Sequence, residues 1–394
     1  MKRRVLTCMA WVLLSAFSTT ALAAEAIRIG VVGPRTGPAA ATGKAFEEGI
    51  ALALDHINAS GGVLGKPLEV IFEDTGGVPE KAASGFEKLV TRDQVPIVVG
   101  ESHSSSALAE IEVANRYKVP FIICEAWHDD ITKKNYKWVF RAGPANSGVV
   151  DFYIAPFVRD MNFKKVGIVR ENSDWGVGIA ERTEENFKKM NIPFTTLKVE
   201  REGKDFYTEL TKLKAENPDL ILAYIYGTGL HFFLAQAHEV GLVPKALILD
   251  GAGPPSLWES FWKNVGDAGD LELFMSSMHE AVHLTPTSRK FWEDYRKKFG
   301  KDPTDYKTRS IYNVILIAAD AINRAKSTKN DAIVEALEKT ELEVTTGVVK
   351  FGLNPGSYEY HQWMPSMLVV QWQGRKQVVV YPKEAATGIL MRGK

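Results

Sequence analysis

Short, fully apolar runs alternate along this chain with longer segments whose apolar residues recur at helical spacing. The stretch from Val95 to Trp127 shows the pattern most clearly. Val95–Gly100 is apolar and stops at a glycine, and Glu101-Ser102-His103-Ser104-Ser105-Ser106 then offers nothing that could pack a core. A helix is predicted from about Ser105 to Tyr117, with Leu108, Ile111, Ala114 and Tyr117 on one face. Val119–Ile123 reads as the next strand, and it ends in the mixed polar and aromatic loop Glu125–Asp130.

The same alternation holds upstream. Ala26–Gly33 is a buried strand ending in a loop rich in Gly and Pro. A helix from about Gly43 to Ser60 carries Phe46, Ile50, Leu54 and Ile57 on one side and stops at Gly61-Gly62. Leu68–Phe72 and Pro79–Arg92 follow as strand and helix. Strands and helices in strict alternation with short links predict an α/β fold built on a parallel sheet. In an open sheet of this kind, consecutive strand ends lie on one edge, where ligands bind. The loops after Gly100 and Ile123 are therefore expected to share a site.

A second alternating series starts after Val139–Pro144. Strands are expected at Lys165–Val169, Phe194–Val199, Asp219–Tyr224, Ala246–Leu249 and Leu271–Ser276, and helices at Asn146–Met161, Gly178–Met190, Tyr207–Glu216 and His231–Val240. Two long helices, Ser288–Phe299 and Arg309–Ala325, and a shorter one, Asn330–Lys339, precede strands at Val348–Phe351, Met367–Trp372 and Val378–Tyr381. The economical arrangement is two doubly wound lobes with three crossings between them. The expected first lobe takes residues 24–143 and 277–346, and the second takes 144–276 and 347–394.

Composition narrows the function classes. The 394 residues include 48 basic and 48 acidic side chains, so no basic excess points to nucleic acid or to an anionic membrane surface. Residues 1–23 read as a signal peptide: Lys2-Arg3-Arg4, an apolar Val5–Phe17, then Ala21-Leu22-Ala23 as the cleavage site. The apolar run is short of the roughly 20 residues needed to span a bilayer. Export to a periplasm or an equivalent space is expected. Cys8 leaves with the signal, and Cys124 alone cannot form an internal disulfide, so a large core has to hold the fold.

Catalytic readings find little support. The glycines after the first strand match neither the dinucleotide fingerprint nor a P-loop. His103, Cys124, His128, Asp129 and Asp130 lack metal-ligand spacing, and Ser104–Ser106 lacks the nucleophile elbow. No cofactor, metal or catalytic residue is expected. The start of the helix behind Ser104 suits a carboxylate, because free N–H groups and a partial positive charge gather there. Asp250, at a strand end of the second series, suits a cationic group. Trp127, Trp175 and Tyr226 sit at strand-end loops, where they can wall a pocket.

These residues resemble the periplasmic substrate-binding proteins of branched-chain amino acid ABC transporters, the type I "Venus flytrap" group. The resemblance is carried by Ile29–Pro38, Ala53–Gly62, Val98–Gly100 with Ser104–Ser106, Val119–Ile122, Asn172–Gly176, Gln236–Gly241 and Phe351-Gly352, and it spans nearly the whole mature chain. It implies a receptor that makes and breaks no bond. Such a receptor closes two lobes on one small molecule and delivers it to a membrane permease, acting as a monomer. Ser104 matches the serine that meets a ligand carboxylate, Asp250 the acid that meets an ammonium, and Trp175 and Tyr226 the aromatic walls.

Candidate contacts are thus Arg35, His103, Ser104, Ser105, Glu125, Ala126, Trp127, Trp175, Tyr226 and Asp250. Trp127 replaces a small hydroxyl residue of the family pattern, and Arg35 adds a charge to the first loop. An amino acid or related small organic acid is the expected ligand. The alternatives are an aromatic carboxylate, an amide or a urea, or a sensing module of the same fold.

Overall fold

The computed structural model describes residues 25–282 and 285–393. The expected signal peptide and Cys8 lie outside the described residues. Two sheets organise the chain. The first is entirely parallel, in the order Gln362–Trp363, Val139–Ala142, Phe121–Ile123, Val98–Gly100, Ile27–Gly33, Leu68–Asp74. The second runs Lys376–Tyr381, Leu368–Gln373, Leu273–Ser276, Leu247–Asp250, Leu220–Tyr224, Val166–Glu171, Phe194–Val199. Its two strands from the end of the chain are antiparallel to their neighbours, and the other five are parallel. The α/β class and the doubly wound order follow the alternation in the sequence.

The chain crosses from the first sheet to the second after Ala142, returns after Ser276 to lay Pro286–Phe299, Lys307–Ala325 and Asn330–Glu338 against the first lobe, and leaves again after Trp363. The last crossing differs from the expected one at 346/347. Gly347–Val349 pairs with Leu342–Val344, Phe351 packs on Phe140 with ring centroids 5.1 Å apart, and Gln362–Trp363 extends the first sheet. A two-residue strand is too short to show a period. What holds it is tertiary: the buried Arg141 guanidinium donates to the Gln362 side chain, and Gln362 in turn donates to the Gly143 carbonyl at 2.7 Å.

Two local features aim the elements at the cleft. Gly100 closes its strand with φ of +127°, and a Cβ there would lie 2.2 Å from the Val32 carbonyl. Only glycine lets the chain turn so close to its neighbour. The helices Ala40–Ala59 and Lys307–Ala325 approach at Gly49, where a Cβ would lie 2.2 Å from the Thr308 carbonyl oxygen. Ile311, Val314, Ile315, Ala318 and Ile322 are all buried along that second helix. At about 1.5–3 kcal/mol for each large aliphatic side chain, this face anchors the helix firmly and leaves its first turn at the lobe junction.

Candidate functional site

Between the lobes lies a narrow cleft. The first lobe lines it with Ser102–Ser105, Glu125 and Trp127. The second contributes Glu171, Ser173, Trp175, Arg201, Tyr226 and Ala252, and Tyr306 and Lys307 close the side where the chain returns.

On the first-lobe wall, Glu101 accepts hydrogen bonds from the N–H groups of Ser102 (2.7 Å) and His103 (2.9 Å), which fixes the loop before the helix Ser104–Tyr117. Ser104 Oγ accepts the backbone N–H of both Trp127 and His128 at 3.1 Å. It therefore ties the two strand-end loops together, and its own proton is left to donate elsewhere. The Trp127 N–H is spent in this bond. His103 is buried, and burial lowers its pKa, so it is neutral at pH 7; its ring stands edge-on to Tyr226 at 5.3 Å.

The aromatic walls meet across the lobes. Trp127 and Trp175 stand edge to face with centroids 6.1 Å apart, and Trp175 contacts Tyr224 at the same separation. The Trp127 indole N–H donates to Glu125 at 3.0 Å, and Ser310 donates to the other Glu125 oxygen. Burial raises Glu125 to about 7, against the pull of Lys307 and of both donors.

A directed chain of hydrogen bonds crosses the cleft. The Lys307 ammonium donates to the Tyr226 phenol oxygen at 2.8 Å. Thr42 Oγ1 donates to Asp305 at 3.0 Å, so the 2.6 Å contact between Tyr226 and Thr42 has the phenol as donor. The Trp258 indole donates to the same Asp305 oxygen at 3.2 Å. Tyr226 and Trp258 belong to the second lobe, and Thr42 to the first. Near the mouth, Arg201 reaches over to the Gly77 carbonyl at 3.3 and 3.4 Å.

The structure gathers His103, Ser104, Ser105, Glu125, Trp127, Trp175 and Tyr226 around the cleft. Three other candidates are elsewhere. Arg35 is exposed, pairs with Glu47 at 2.6 Å and lies over the Phe72 ring, because its loop is held outward by backbone bonds to Asp74. Ala126 is a core residue whose carbonyl accepts from Arg141 at 3.1 Å. Asp250 is fully buried inside the second lobe, where it accepts the Ala252 N–H and the Ser256 hydroxyl, both at 2.8 Å. Ser256 Oγ is also 2.6 Å from Glu272. One hydroxyl proton cannot serve two carboxylates, so one of the pair is protonated and donates back. Burial raises Asp250 to about 6 and pushes Glu272 well above the carboxylate range.

The acid that the second lobe does present is Glu171, which accepts from Ser173 Oγ (2.6 Å) and the Tyr226 N–H (2.8 Å) and is raised by burial. Ser173 caps the helix Asp174–Met190 through the Gly176 N–H at 3.1 Å, which starts that helix four residues earlier than the apolar pattern predicts and places Trp175 in its first turn. The Asn172-Ser173-Asp174 cap signal was available for this. Lys307 and Arg201 left no such mark: each is an ordinary charged residue in a polar stretch. Among the described residues, no group of three or more His, Cys, Asp or Glu side chains gathers where it could hold a metal ion.

Two α/β lobes joined by three crossings, with one aromatic-walled cleft between them, define a type I solute-binding architecture. The chain belongs to the periplasmic binding protein family, whose model matches residues 26–377. It is 27% identical over 393 aligned positions to a Leu/Ile/Val-binding protein homolog of Brucella abortus, covering 95% of this chain and 97% of that protein. The branched-chain amino acid transporter substrate-binding protein LivJ of Streptococcus pneumoniae, solved with isoleucine, is 26% identical with a TM-score of 0.80, over 91% of this chain and 100% of that one. A solute-binding protein of an ABC transporter from R. palustris, solved with benzoate, superposes with a TM-score of 0.79 at 18% identity, over 92% and 96% of the two chains. The family is one of binding proteins rather than catalysts.

Proposed function

We propose that this protein is an extracytoplasmic receptor that captures a small organic acid with an apolar or aromatic body and delivers it to an ABC permease. The observation that carries this reading is the cleft wall. Trp127, Trp175 and Tyr226 offer flat apolar faces, while Ser104 and the start of its helix offer donors and Lys307 and Arg201 offer positive charge. Aromatic burial supplies affinity, and the few polar groups fix orientation. The benzoate-bound R. palustris protein is a structural precedent for such a ligand in this fold.

Ligand contacts on both lobes add to the cross-cleft chain of Lys307, Tyr226, Thr42 and Asp305, and so shift the population toward the closed state. Among the described residues no helix is long and apolar enough to cross a membrane, which accords with a receptor that must reach a separate permease.

A thermal-shift panel tests the substrate class. A ligand present at 100 times its Kd stabilises by about 2.7 kcal/mol, enough to raise Tm by a few degrees. Benzoate and 4-hydroxybenzoate are expected to give such a shift, and urea none. A shift with urea or with neutral amides alone would overturn the reading.

A second reading is favoured by Glu171. This buried carboxylate faces the cleft and is placed to take an ammonium, so a branched-chain or aromatic amino acid is the alternative ligand, as in the isoleucine-bound LivJ. Leucine shifting Tm more than benzoate would favour it.

A further inference from the structure

We propose that Lys307 sets the specificity of the cleft for anions by taking the ligand's carboxylate. The inference deepens the receptor reading and rests on it. Lys307 is 3% exposed, lines the cleft, and keeps its charge: burial opposes it, but Tyr226, Asp305 and Glu125 together raise its pKa above the ordinary lysine value.

An ammonium has three donors, and among the described residues Lys307 uses one, on the Tyr226 oxygen. Among the same residues it makes no ion pair within 4 Å. Its two acidic neighbours are already committed. Asp305 accepts from Thr42, Trp258 and the Lys307 backbone N–H, and Glu125 from Ser310 and Trp127.

The contrast with Arg141 is informative. That guanidinium is equally buried, yet it donates to the Ala126 and His128 carbonyls and to the Gln362 and Thr132 side chains, so its position is explained by structure alone. Tyr226, Asp305 and Glu125 hold the Lys307 charge, but two of its N–H donors have no acceptor among the described residues. Lys307 lines the ligand space, so those donors are free for an anion brought by the ligand. Replacing a donor that only props up Tyr226 would change acids and amides alike. Removing a carboxylate receptor would change acids only.

Calorimetry with matched acid and amide pairs separates these cases, using wild type, Lys307→Met and Lys307→Arg, each checked for folding by circular dichroism. The probes are benzoate with benzamide and isovalerate with isovaleramide. Wild type is expected to prefer the acid of whichever pair it binds by at least tenfold. Lys307→Met should lose at least tenfold on that acid and under twofold on its amide, and Lys307→Arg should recover part of the loss. Binding of isovalerate alone would overturn the aromatic ligand while leaving the Lys307 assignment standing. Equal binding of acid and amide by wild type would overturn the assignment, as would Lys307→Met holding the acid within twofold of wild type. If neither pair binds, mass spectrometry of the small molecule released from purified wild type decides. A carboxylate-bearing molecule, amino acids included, missing from Lys307→Met preparations supports the assignment; a molecule without a carboxylate, or none, overturns it.

Discussion

Two strand ends of the second sheet carry the same chemistry and meet different fates. Glu171 and Asp250 are both buried acids at the C-terminal ends of parallel strands, separated by the single strand Leu220–Tyr224. Glu171 spends its oxygens on a helix cap and on the Tyr226 backbone, and so builds the cleft wall. Asp250 spends its oxygens on its own turn and, through Ser256, on Glu272, and so seals itself into the lobe. A carboxylate at a ligand-facing sheet edge is therefore not yet a ligand group. What decides is which donors reach it first.

That contrast breaks in a graded way. The largest effect is expected at Glu171. Glu171→Ala orphans the Tyr226 N–H and frees the capping serine, and hydrogen bonds to charged groups contribute about 1.5–3 kcal/mol each. Loss of roughly 3 kcal/mol in urea unfolding and at least tenfold weaker binding should appear together. Full affinity with lower stability would make Glu171 a scaffold residue only.

A smaller effect is expected at Asp250, visible in its pH dependence. Its pKa is raised in the folded state to about 6, so its contribution to stability is fully present below the ordinary aspartate range and is lost as pH rises through about 6. Asp250→Asn does not titrate. Its stability relative to wild type should therefore rise between pH 4 and pH 7, by on the order of 2 kcal/mol, with ligand affinity unchanged within twofold. Parallel pH profiles for the two proteins, or a tenfold affinity loss, would return Asp250 to the ligand site. The smallest effect belongs to Arg35→Ala, which removes an exposed ion pair worth below about 1 kcal/mol and should leave binding unchanged.

Much of the fold was legible because its signals are local. The run Val95–Ile123 announced strand, loop, helix and strand, and the structure has Val98–Gly100, Ser104–Tyr117 and Phe121–Ile123. The strand-end loops also put Ser104, Trp127, Trp175 and Tyr226 among the candidates, and all four line the cleft. Gln362–Trp363 was not legible, since a strand so short is defined only by its pairing with Val139–Ala142 and by Arg141. Lys307 was not legible either. It looks like any helix-start lysine until the close approach at Gly49 brings that helix to the lobe junction.

The sequence by itself determined the α/β class, the two series and the strand-end loops that line the cleft, because hydrophobic period and turn residues act over a few positions. Only the tertiary structure decided which charges serve the cleft. Whether Asp250 is sealed against a serine, and whether Lys307 packs inside a lobe or lines the cleft beside Tyr226, depends on partners distant in the chain. Burial then fixes the cost of each choice.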